Sequence, residues 1–319
     1  MESLKSKRVN VNIKRIGIAM LLTVSFLAVK DNKFFASNDL NLSKPNVNFT
    51  IKERAYDIPV KAFVIKDKDS GEILVAQNED VPLAPASLTK VMTALLAIES
   101  GKMQEIVTID KYSTTVEPSK AGVKVGEQFL LSDLVTAALI ASSNDAAMAV
   151  GIYLGGSVQG FAKMMNAKAK EIGMKNTQFT NPCGFDFGEN LSTAKDLAIL
   201  AEYTAKLPYF GDIVQQKKGS ITALNTHKTY NFYTHNKMLK LYPQTIGTKT
   251  GYTQKAGPCL IARATNGDKD LIMVMLNAQR GQRWSIAKEQ FDKQFGYLPQ
   301  TIEAPTQETF VDDVTVVDR

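Results

Sequence analysis

The sequence predicts an α/β (α+β) protein in which an antiparallel sheet is flanked by helices and interrupted by an inserted all-helical subdomain. Three observations support this fold class. Short β-type runs occur early in the chain, at 61–66 and 72–77, and again late, at 260–264 and 271–276. The intervening residues have helical patterns instead. Because strands lie at both ends, we expect the early strands to pair with the late ones in one sheet.

The early strands should form a hairpin that leads to the first helix. The runs 61–66 and 72–77 are joined across Asp69-Ser70-Gly71, which is a turn sequence. Further on, 91–99 is rich in Ala and Leu and contains no Gly or Pro. We therefore predict a helix there, with Ser87 at or near its N-terminus.

The middle of the chain is predicted to be helical, and its end to contain two strands and a helix. Apolar helical patterns predict helices at 131–140, 146–153, 161–172 and 192–203. The two late β-type runs are separated by the turn Asn266-Gly267-Asp268. A last helical pattern covers Arg283–Phe295.

The first 29 residues have the composition of a targeting segment. They contain five Lys or Arg residues against Glu2, followed by the apolar run Ile16–Val29. At about 1.5 Å per residue this run spans about 21 Å, which is shorter than the ~30 Å hydrocarbon core of a bilayer. We therefore predict an exported chain in which residues 1–29 are a signal peptide or an N-terminal anchor.

Three parts follow the targeting segment. Residues 30–57 are polar and predict an extended leader, residues 58–298 hold the predicted strands and helices, and residues 299–319 form a short acidic tail. Residues 1–29 supply most of the net charge of +6, which leaves only about +2 for the remainder. No nucleic-acid partner is predicted from so small an excess. Membrane attachment, if present, would run through residues 1–29.

Cysteine and histidine are scarce in this chain. Export would permit a disulfide between Cys183 and Cys259, yet we expect two unpaired and largely buried thiols. The histidines are His227 and His235, and no H-E-x-x-H or C-x-x-C pattern is present. The sequence therefore predicts no metal site and no cofactor.

Three short motifs occur in an informative order. The pattern S-x-x-K occurs at Ser87, Ser192 and Ser285, which makes it weak by itself. The S-x-N pattern Ser142-Ser143-Asn144 and the K-T-G pattern Lys249-Thr250-Gly251 occur once each, and only Ser87 precedes both. Ordered S-x-x-K, S-x-N and K-T-G motifs are typical of penicillin-binding proteins and class A β-lactamases.

On these motifs, residues from about 61 to about 297 resemble the low-molecular-mass penicillin-binding proteins that are serine-type D-alanyl-D-alanine carboxypeptidases (peptidase S11-like). The resemblance implies a β-lactamase/transpeptidase-like fold, with the active site between sheet and helices. It makes 58–298 a DD-peptidase catalytic domain. It also implies peptidoglycan stem peptides as substrates and β-lactams as covalent inhibitors, at the extracellular or periplasmic face of the membrane or in the cell wall.

The Ser87–Lys90 pair has the spacing that nucleophilic catalysis requires. A serine hydroxyl is a weak nucleophile, so a base must take its proton. Residues at i and i+3 lie on one face of a helix, within reach of each other. Lys90 can act as this base if its pKa falls from ~10.4 towards ~7–8, through burial or a second cation. Lys249 is the candidate for that cation.

The resemblance assigns roles to the two residues of the S-x-N motif and to Tyr252. Ser142 would relay a proton towards the leaving nitrogen. Asn144 would hydrogen-bond the substrate amide and the lysine. The backbone N–H of Tyr252 would stabilise the developing oxyanion together with that of Ser87.

The K-T-G motif is expected on an edge strand. Lys249 and Thr250 would face the terminal carboxylate of the substrate, and Gly251 would allow a substrate backbone to approach closely. His235 is a further candidate at the edge of the site, near the same carboxylate. His227 is expected in an exposed turn.

Three alternatives remain beside the carboxypeptidase. A class A β-lactamase would need a glutamate within the window Thr177–Asn181, which contains no acid. A DD-endopeptidase that cuts peptidoglycan cross-links would use the same residues, and the sequence does not separate it. An inactive wall-binding protein would not require the intact motifs.

The chain departs from the family pattern at three positions. Family members often have histidines where this chain has Cys183 and Asn190, and an acid where it has Ile246. We expect these differences to affect substrate preference more than the core chemistry.

Overall fold

The computed structural model describes residues 58–297 and places a five-stranded sheet between two groups of helices. The predicted signal or anchor (1–29), the leader (30–57) and the tail (299–319) lie outside the described residues. The strands are β1 (Val60–Asp67), β2 (Ile73–Gln77), β3 (Ile106–Thr108), β4 (Gln128–Leu130), β5 (Lys218–Thr222), β6 (Thr229–Tyr233), β7 (Thr245–Gly251), β8 (Cys259–Thr265) and β9 (Asp270–Ala278).

A 3₁₀ turn, Ala86–Thr89, precedes the first helix. The helices are α1 (Lys90–Glu99), α2 (Lys111–Thr114), α3 (Leu131–Ile140), α4 (Asn144–Gly155), α5 (Val158–Glu171), α6 (Ala194–Ala205), α7 (Pro208–Val214), α8 (Met238–Leu241) and α9 (Arg283–Phe295). Within residues 58–297, none of these helices has the length and apolar character needed to cross a bilayer.

The central sheet joins the two ends of the described chain. Its order is β2-β1-β9-β8-β7, with every neighbouring pair antiparallel. The predicted hairpin β1–β2 is present, and β1 pairs along its length with β9, for example at Val64↔Val274. The expected pairing of early strands with late strands is therefore confirmed. Strand β7 lies at one edge of this sheet, with β8 as its neighbour.

The two faces of the sheet pack against different helices. Successive side chains of a strand point to opposite faces, so β1 contributes to two cores. Ala62 and Val64 lie in the larger core with the inserted helices, whereas Phe63 and Ile65 lie in a smaller core with Phe291 of α9. Both cysteines are buried and unpaired, as expected.

The inserted part between β2 and β7 is mainly helical, but the expectation that it is all-helical is incomplete. It also contains two small antiparallel sheets, β3–β4 and β5–β6. Strands β3 and β4 are three residues long each, which is too short for an alternating pattern to be recognised in the sequence. The predicted helices of this part are present with boundaries shifted by a few residues.

Candidate active site

Ser87 lies in the 3₁₀ turn immediately before α1, as the sequence predicted. The preceding residue, Ala86, has a φ of +48°, which is a left-handed conformation that costs energy for a residue with a Cβ. Two glycines, Gly184 and Gly251, pack closely against this turn. A Cβ on Gly184 would lie 1.8 Å from Ala86 O, and one on Gly251 would lie 3.0 Å from Pro85 O.

Lys90 is the first residue of α1 and is completely buried. Its Nζ lies 2.8 Å from Ser87 Oγ, 2.7 Å from Asn144 Oδ1 and 2.7 Å from the backbone oxygen of Cys183. These three contacts come from three separate parts of the chain. They hold the amine beside the Ser87 hydroxyl.

Burial lowers the pKa of Lys90 to about 8, because desolvation disfavours the charged amine. The charge of Asp145 acts in the opposite direction, as would a Cys183 thiolate. Burial also raises the pKa of the Cys183 thiol to about 12, so this group is neutral at physiological pH. Lys90 thus has the pKa of a base that can work near neutral pH.

The sequence offered two causes for a lowered Lys90 pKa, burial or a second cation, Lys249. Burial, and not a second cation, is the main cause of the lowered pKa of Lys90. The pKa of Lys249 itself is held well below its ordinary value, by burial first and then by the charges of Lys90 and Arg283. Repulsion between two buried amines favours a site in which one of them is neutral.

The S-x-N motif lies between α3 and α4, as predicted. Ser142 is buried and has a φ of +59°, and Asn144 begins α4. The backbone N–H of Asn144 donates to Ser119 O at 2.7 Å. The buried carboxylate of Asp145 accepts the backbone N–H groups of Ala121 and Gly122, at 2.9 and 2.8 Å. The loop is thereby tied to residues 119–122.

The K-T-G motif ends the edge strand β7. The side chain of Lys249 is 2% exposed, and its Nζ donates to Thr250 O at 2.9 Å. Gly251 lies on the face of the strand that meets the Ser87 turn, and Lys249, two residues earlier, shares that face. A Cβ on Gly251 would lie 3.0 Å from Pro85 O and 3.3 Å from the Cβ of Ala86, so glycine eases the packing of β7 against this turn. The close approach of a substrate backbone at Gly251 stays a prediction.

The remaining predicted residues lie at or near the end of β7. Tyr252 follows the strand, is 40% exposed, and its hydroxyl accepts a hydrogen bond from Arg280 Nη2 at 3.1 Å. His235 is exposed, and partial desolvation together with the charges of Lys249 and Arg283 lowers its pKa. The oxyanion role of Tyr252 and the substrate role of His235 stay predictions. His227 lies in an exposed turn at a φ of +57°.

The other two S-x-x-K serines are in structural positions. Ser192 is fully buried and shares a hydrogen bond with Thr177 Oγ1, while Lys195 pairs with Asp80. The hydroxyl of Ser285 donates to Gln282 O within the start of α9. Of the three serines, Ser87 is thus the one whose hydroxyl is hydrogen-bonded to the lysine of its own S-x-x-K motif.

Two contributors to the site were missed by the sequence analysis. Arg283, at the start of α9, donates through Nη1 to Gly251 O and Cys259 O, both at 3.2 Å. Cys183 contributes its backbone carbonyl to Lys90, although the sequence drew attention only to its side chain. A backbone contact has no residue-type signal, and Arg283 appeared in the sequence only as the first residue of a helix.

The sheet, the inserted helices and the serine–lysine pair together define the class of serine penicillin-binding proteins. The family described as peptidase S11, D-alanyl-D-alanine carboxypeptidase, matches residues 48–280. The chain belongs to this family.

Individual relatives agree with the family match. D-alanyl-D-alanine carboxypeptidase DacF of Bacillus subtilis is 35% identical over 223 residues, which cover 68% of this chain but only 57% of DacF. A D-alanyl-D-alanine endopeptidase of Pseudomonas aeruginosa is 31% identical, over 67% of this chain and 70% of the relative. The crystal structure of D-alanyl-D-alanine carboxypeptidase from Mycobacterium tuberculosis superposes with a TM-score of 0.71 at 29% identity, over 77% of this chain and 94% of that one.

Proposed function

We propose that this chain is a serine DD-carboxypeptidase, which removes the terminal D-Ala of peptidoglycan stem pentapeptides through an acyl-enzyme on Ser87. The observation that supports this function most strongly is the 2.8 Å contact between Ser87 Oγ and the Nζ of Lys90, whose pKa is lowered to about 8. A serine becomes an effective nucleophile when such a base is within hydrogen-bond reach. The substrate class comes from the printed names of the relatives.

Acylation would begin with neutral Lys90 taking the proton of Ser87 as Oγ bonds to the carbonyl carbon of the penultimate D-Ala. The resulting oxyanion would be stabilised by the backbone N–H groups of Ser87 and Tyr252. The C–N bond then breaks, and the leaving amine takes up a proton that travels from Lys90 through the Ser142 hydroxyl. D-Ala departs and the ester on Ser87 remains.

Deacylation would repeat these steps with water as the nucleophile. Lys90, neutral again, takes a proton from the water as its oxygen bonds to the ester carbon. The bond from that carbon to Ser87 Oγ breaks, and the proton returns to Oγ. The shortened stem peptide leaves, and the enzyme is restored without any cofactor.

A positive region at the end of β7 would select the terminal carboxylate. Lys249 is buried beside the Ser87 turn, and Arg283 donates to the backbone of Gly251. The lowered pKa of Lys249 reflects repulsion by other cations as well as burial. A substrate carboxylate would relieve this repulsion and favour the charged form. His235 and the hydroxyl of Thr250 would complete the contacts at the rim.

β-Lactams should acylate the same serine, and the ester that they form should be hydrolysed slowly. Residues 177–181 contain no glutamate that could activate a deacylating water in the manner of a class A β-lactamase. The acyl-enzyme formed with penicillin should therefore persist. On this account penicillin is an inhibitor and the β-lactamase alternative is disfavoured.

A DD-endopeptidase is the second candidate, because relatives with that name cover similar shares of the chain. The full chain is incubated in parallel with a stem pentapeptide and with a cross-linked muropeptide, and the products are identified by mass spectrometry. A carboxypeptidase releases D-Ala from the pentapeptide and leaves most cross-links intact, whereas faster cleavage of the cross-link would establish the endopeptidase. The Ser87→Ala variant is the control in both reactions. No product from either substrate would favour an inactive wall-binding protein.

The place of action is proposed from the same chemistry. Peptidoglycan lies outside the cytoplasmic membrane, so an enzyme that acts on it must be exported, and residues 1–29 are the predicted signal or anchor. N-terminal sequencing of the mature protein together with fractionation separates the two possibilities. An N-terminus near Val29 or Ser37 in a soluble fraction supports cleavage, and a retained Met1 in the membrane fraction supports an anchor.

A further inference from the structure

A buried loop, residues 181–185, lies directly behind the serine–lysine pair. Its Cys183 carbonyl accepts the hydrogen bond from Lys90 Nζ at 2.7 Å. Its Gly184 lies so close to the Ser87 turn that a Cβ would be 1.8 Å from Ala86 O and 3.0 Å from Ser87 N. The 181–185 loop therefore contacts the segments that carry both reacting residues.

The side chain of Asn181 organises this loop. It is 2% exposed, and its Oδ1 accepts the backbone N–H groups of Cys183, Gly184 and Phe185 at 3.1, 2.8 and 3.0 Å. Its Nδ2 donates to Phe185 O at 3.0 Å and to Thr180 Oγ1 at 3.1 Å. One side chain thus supplies partners for backbone groups that a helix or strand would otherwise satisfy.

The Cys183 carbonyl has a directional effect on the base. A neutral amine has two N–H bonds and one lone pair, whereas a charged one has three N–H bonds. When the two N–H bonds of neutral Lys90 point to Asn144 Oδ1 and Cys183 O, the lone pair points to the third neighbour, Ser87 Oγ. Without the carbonyl, rotation about the Cε–Nζ bond would leave the lone pair with no fixed direction.

We propose that Asn181 is a positioning residue for acyl transfer, because it holds the Cys183 carbonyl where that oxygen orients the Lys90 amine towards Ser87. The inference rests on the proposed function, since it concerns the proton transfer by which Ser87 is acylated. The hydrogen bonds of the Asn181 side chain go to residues 180–185 and not to Ser87 or Lys90. Asn181 acts through the backbone of the 181–185 loop.

The test compares three variants of the full chain with the wild type. The rate of acylation by penicillin is measured by intact-protein mass between pH 6 and 10, and thermal melting is measured alongside. Asn181→Ala removes the shared acceptor. Asn181→Asp keeps an acceptor oxygen but adds a negative charge. The matched control is Asn166→Ala, which removes the paired contacts of Asn166 with the backbone N–H and carbonyl of Phe179, both 2.8 Å, and touches neither Lys90 nor Ser87.

Asn181→Ala should acylate about 10²-fold more slowly, which is within the usual range for loss of oriented acid–base catalysis. Its pH profile should also move to lower pH, because a lost carbonyl acceptor no longer favours the charged amine. Asn181→Asp should recover part of the rate, with a profile moved to higher pH. The charged or titratable groups coupled to Lys90 are Asp145 on α4, Cys183 in the loop, Lys249 on β7 and His235 before α8, and all are unchanged in these variants.

Asn166→Ala should keep the wild-type rate and profile even where its melting temperature falls. An unchanged rate and pH profile in Asn181→Ala would overturn the inference. Equal slowing of Asn181→Ala and Asn166→Ala with no shift of the pH profile would also overturn it, because that result would indicate a purely structural role. If Asn181→Ala does not fold, the profile of Asn181→Asp decides the question. Absence of acylation in the wild type would instead overturn the proposed function.

Discussion

The chemistry at the residue scale depends on one buried amine. Lys90 has no exposure to solvent, and its Nζ contacts are Ser87 Oγ, Asn144 Oδ1 and Cys183 O. Burial makes the neutral amine accessible near physiological pH, and the acceptors limit how far its pKa falls. The rate of Ser87 acylation should therefore depend on pH and on whether lysine or another cationic residue occupies position 90.

The first prediction concerns pH. Acylation of Ser87 should accelerate as pH rises through about 8, because the proposed base is the neutral form of Lys90, whose pKa is lowered to about 8. Below that pKa the neutral fraction, and with it the rate, should fall about tenfold per pH unit. Stopped-flow or quenched mass measurements of penicillin acylation check this, with Ser87→Ala as the blank. A rate that declines as pH rises from 6 to 9 would show that the charged amine is the active form.

The second prediction concerns the identity of the base. Lys90→Arg keeps the positive charge, but a guanidinium does not lose its proton in this pH range. Acylation should fall by about 10²-fold or more, the usual contribution of a general base. Lys195, whose side chain is 43% exposed, belongs to another S-x-x-K pattern, so Lys195→Arg is the matched control and should acylate normally. Near-normal acylation by Lys90→Arg would place the base elsewhere.

The third prediction isolates the close approach of Gly184 to the Ser87 turn. Gly184 and Gly173 have nearly the same φ, +90° and +89°, but a Cβ on Gly173 meets nothing within 4 Å. Alanine at either position costs ~1–2 kcal/mol for the left-handed conformation. Only Gly184→Ala adds a collision with Ala86 O, worth a further ~1–3 kcal/mol by analogy with overpacking. Gly184→Ala should therefore unfold at a lower urea concentration and be acylated by penicillin more slowly than Gly173→Ala. Equal effects of the two substitutions would contradict the packing described.

At the element scale, the small sheets join distant parts of the inserted region. Tyr230 on β6 donates its hydroxyl to both carboxylate oxygens of Glu127, at 2.9 and 2.7 Å, just before β4. Glu127 is 5% exposed and also accepts the backbone N–H of Lys124 at 2.8 Å. This contact connects the β5–β6 hairpin to the segment that leads to α3. The chain from β6 then continues to His235.

The fourth prediction tests that connection. Tyr230→Phe keeps the ring but removes the donor, leaving a buried carboxylate short of one partner. The free energy of unfolding should fall by about 1–3 kcal/mol. Tyr233→Phe, on the same strand but 72% exposed, is the control and should be close to neutral. Equal denaturation midpoints for the two variants would show that the Tyr230–Glu127 contact contributes nothing to stability.

The elements differ in how far the sequence predicts them. Strands β1, β2, β8 and β9 and helix α9 follow from patterns that are long enough to show a period. Strands β3 and β4 do not, because three residues cannot show alternation. The Ser87–Lys90 spacing, the loop of Asn144 and the edge strand of Lys249 were predicted from motifs. The contributions of Asn181 and Arg283 were not, since each contacts backbone groups, and such contacts have no residue-type signal in the sequence.

At the scale of the whole molecule, the sheet makes the site possible. The site residues are separated by long stretches of sequence, yet β1 pairs with β9 and β8 pairs with β7. This topology places the end of β7 against the turn that carries Ser87. The inserted part supplies Lys90 and Asn144 from its helices and the Cys183 carbonyl from a loop. The arrangement of the candidate site thus depends on the pairing of the early strands with the late ones.

The most direct test of this account is where penicillin attaches. The full chain is incubated with penicillin, and its intact mass and the modified peptide are determined. The account predicts an increase by the mass of one ligand, located on Ser87 and absent in Ser87→Ala. Labelling that persists in Ser87→Ala, or that maps to Ser192 or Ser285, would contradict it.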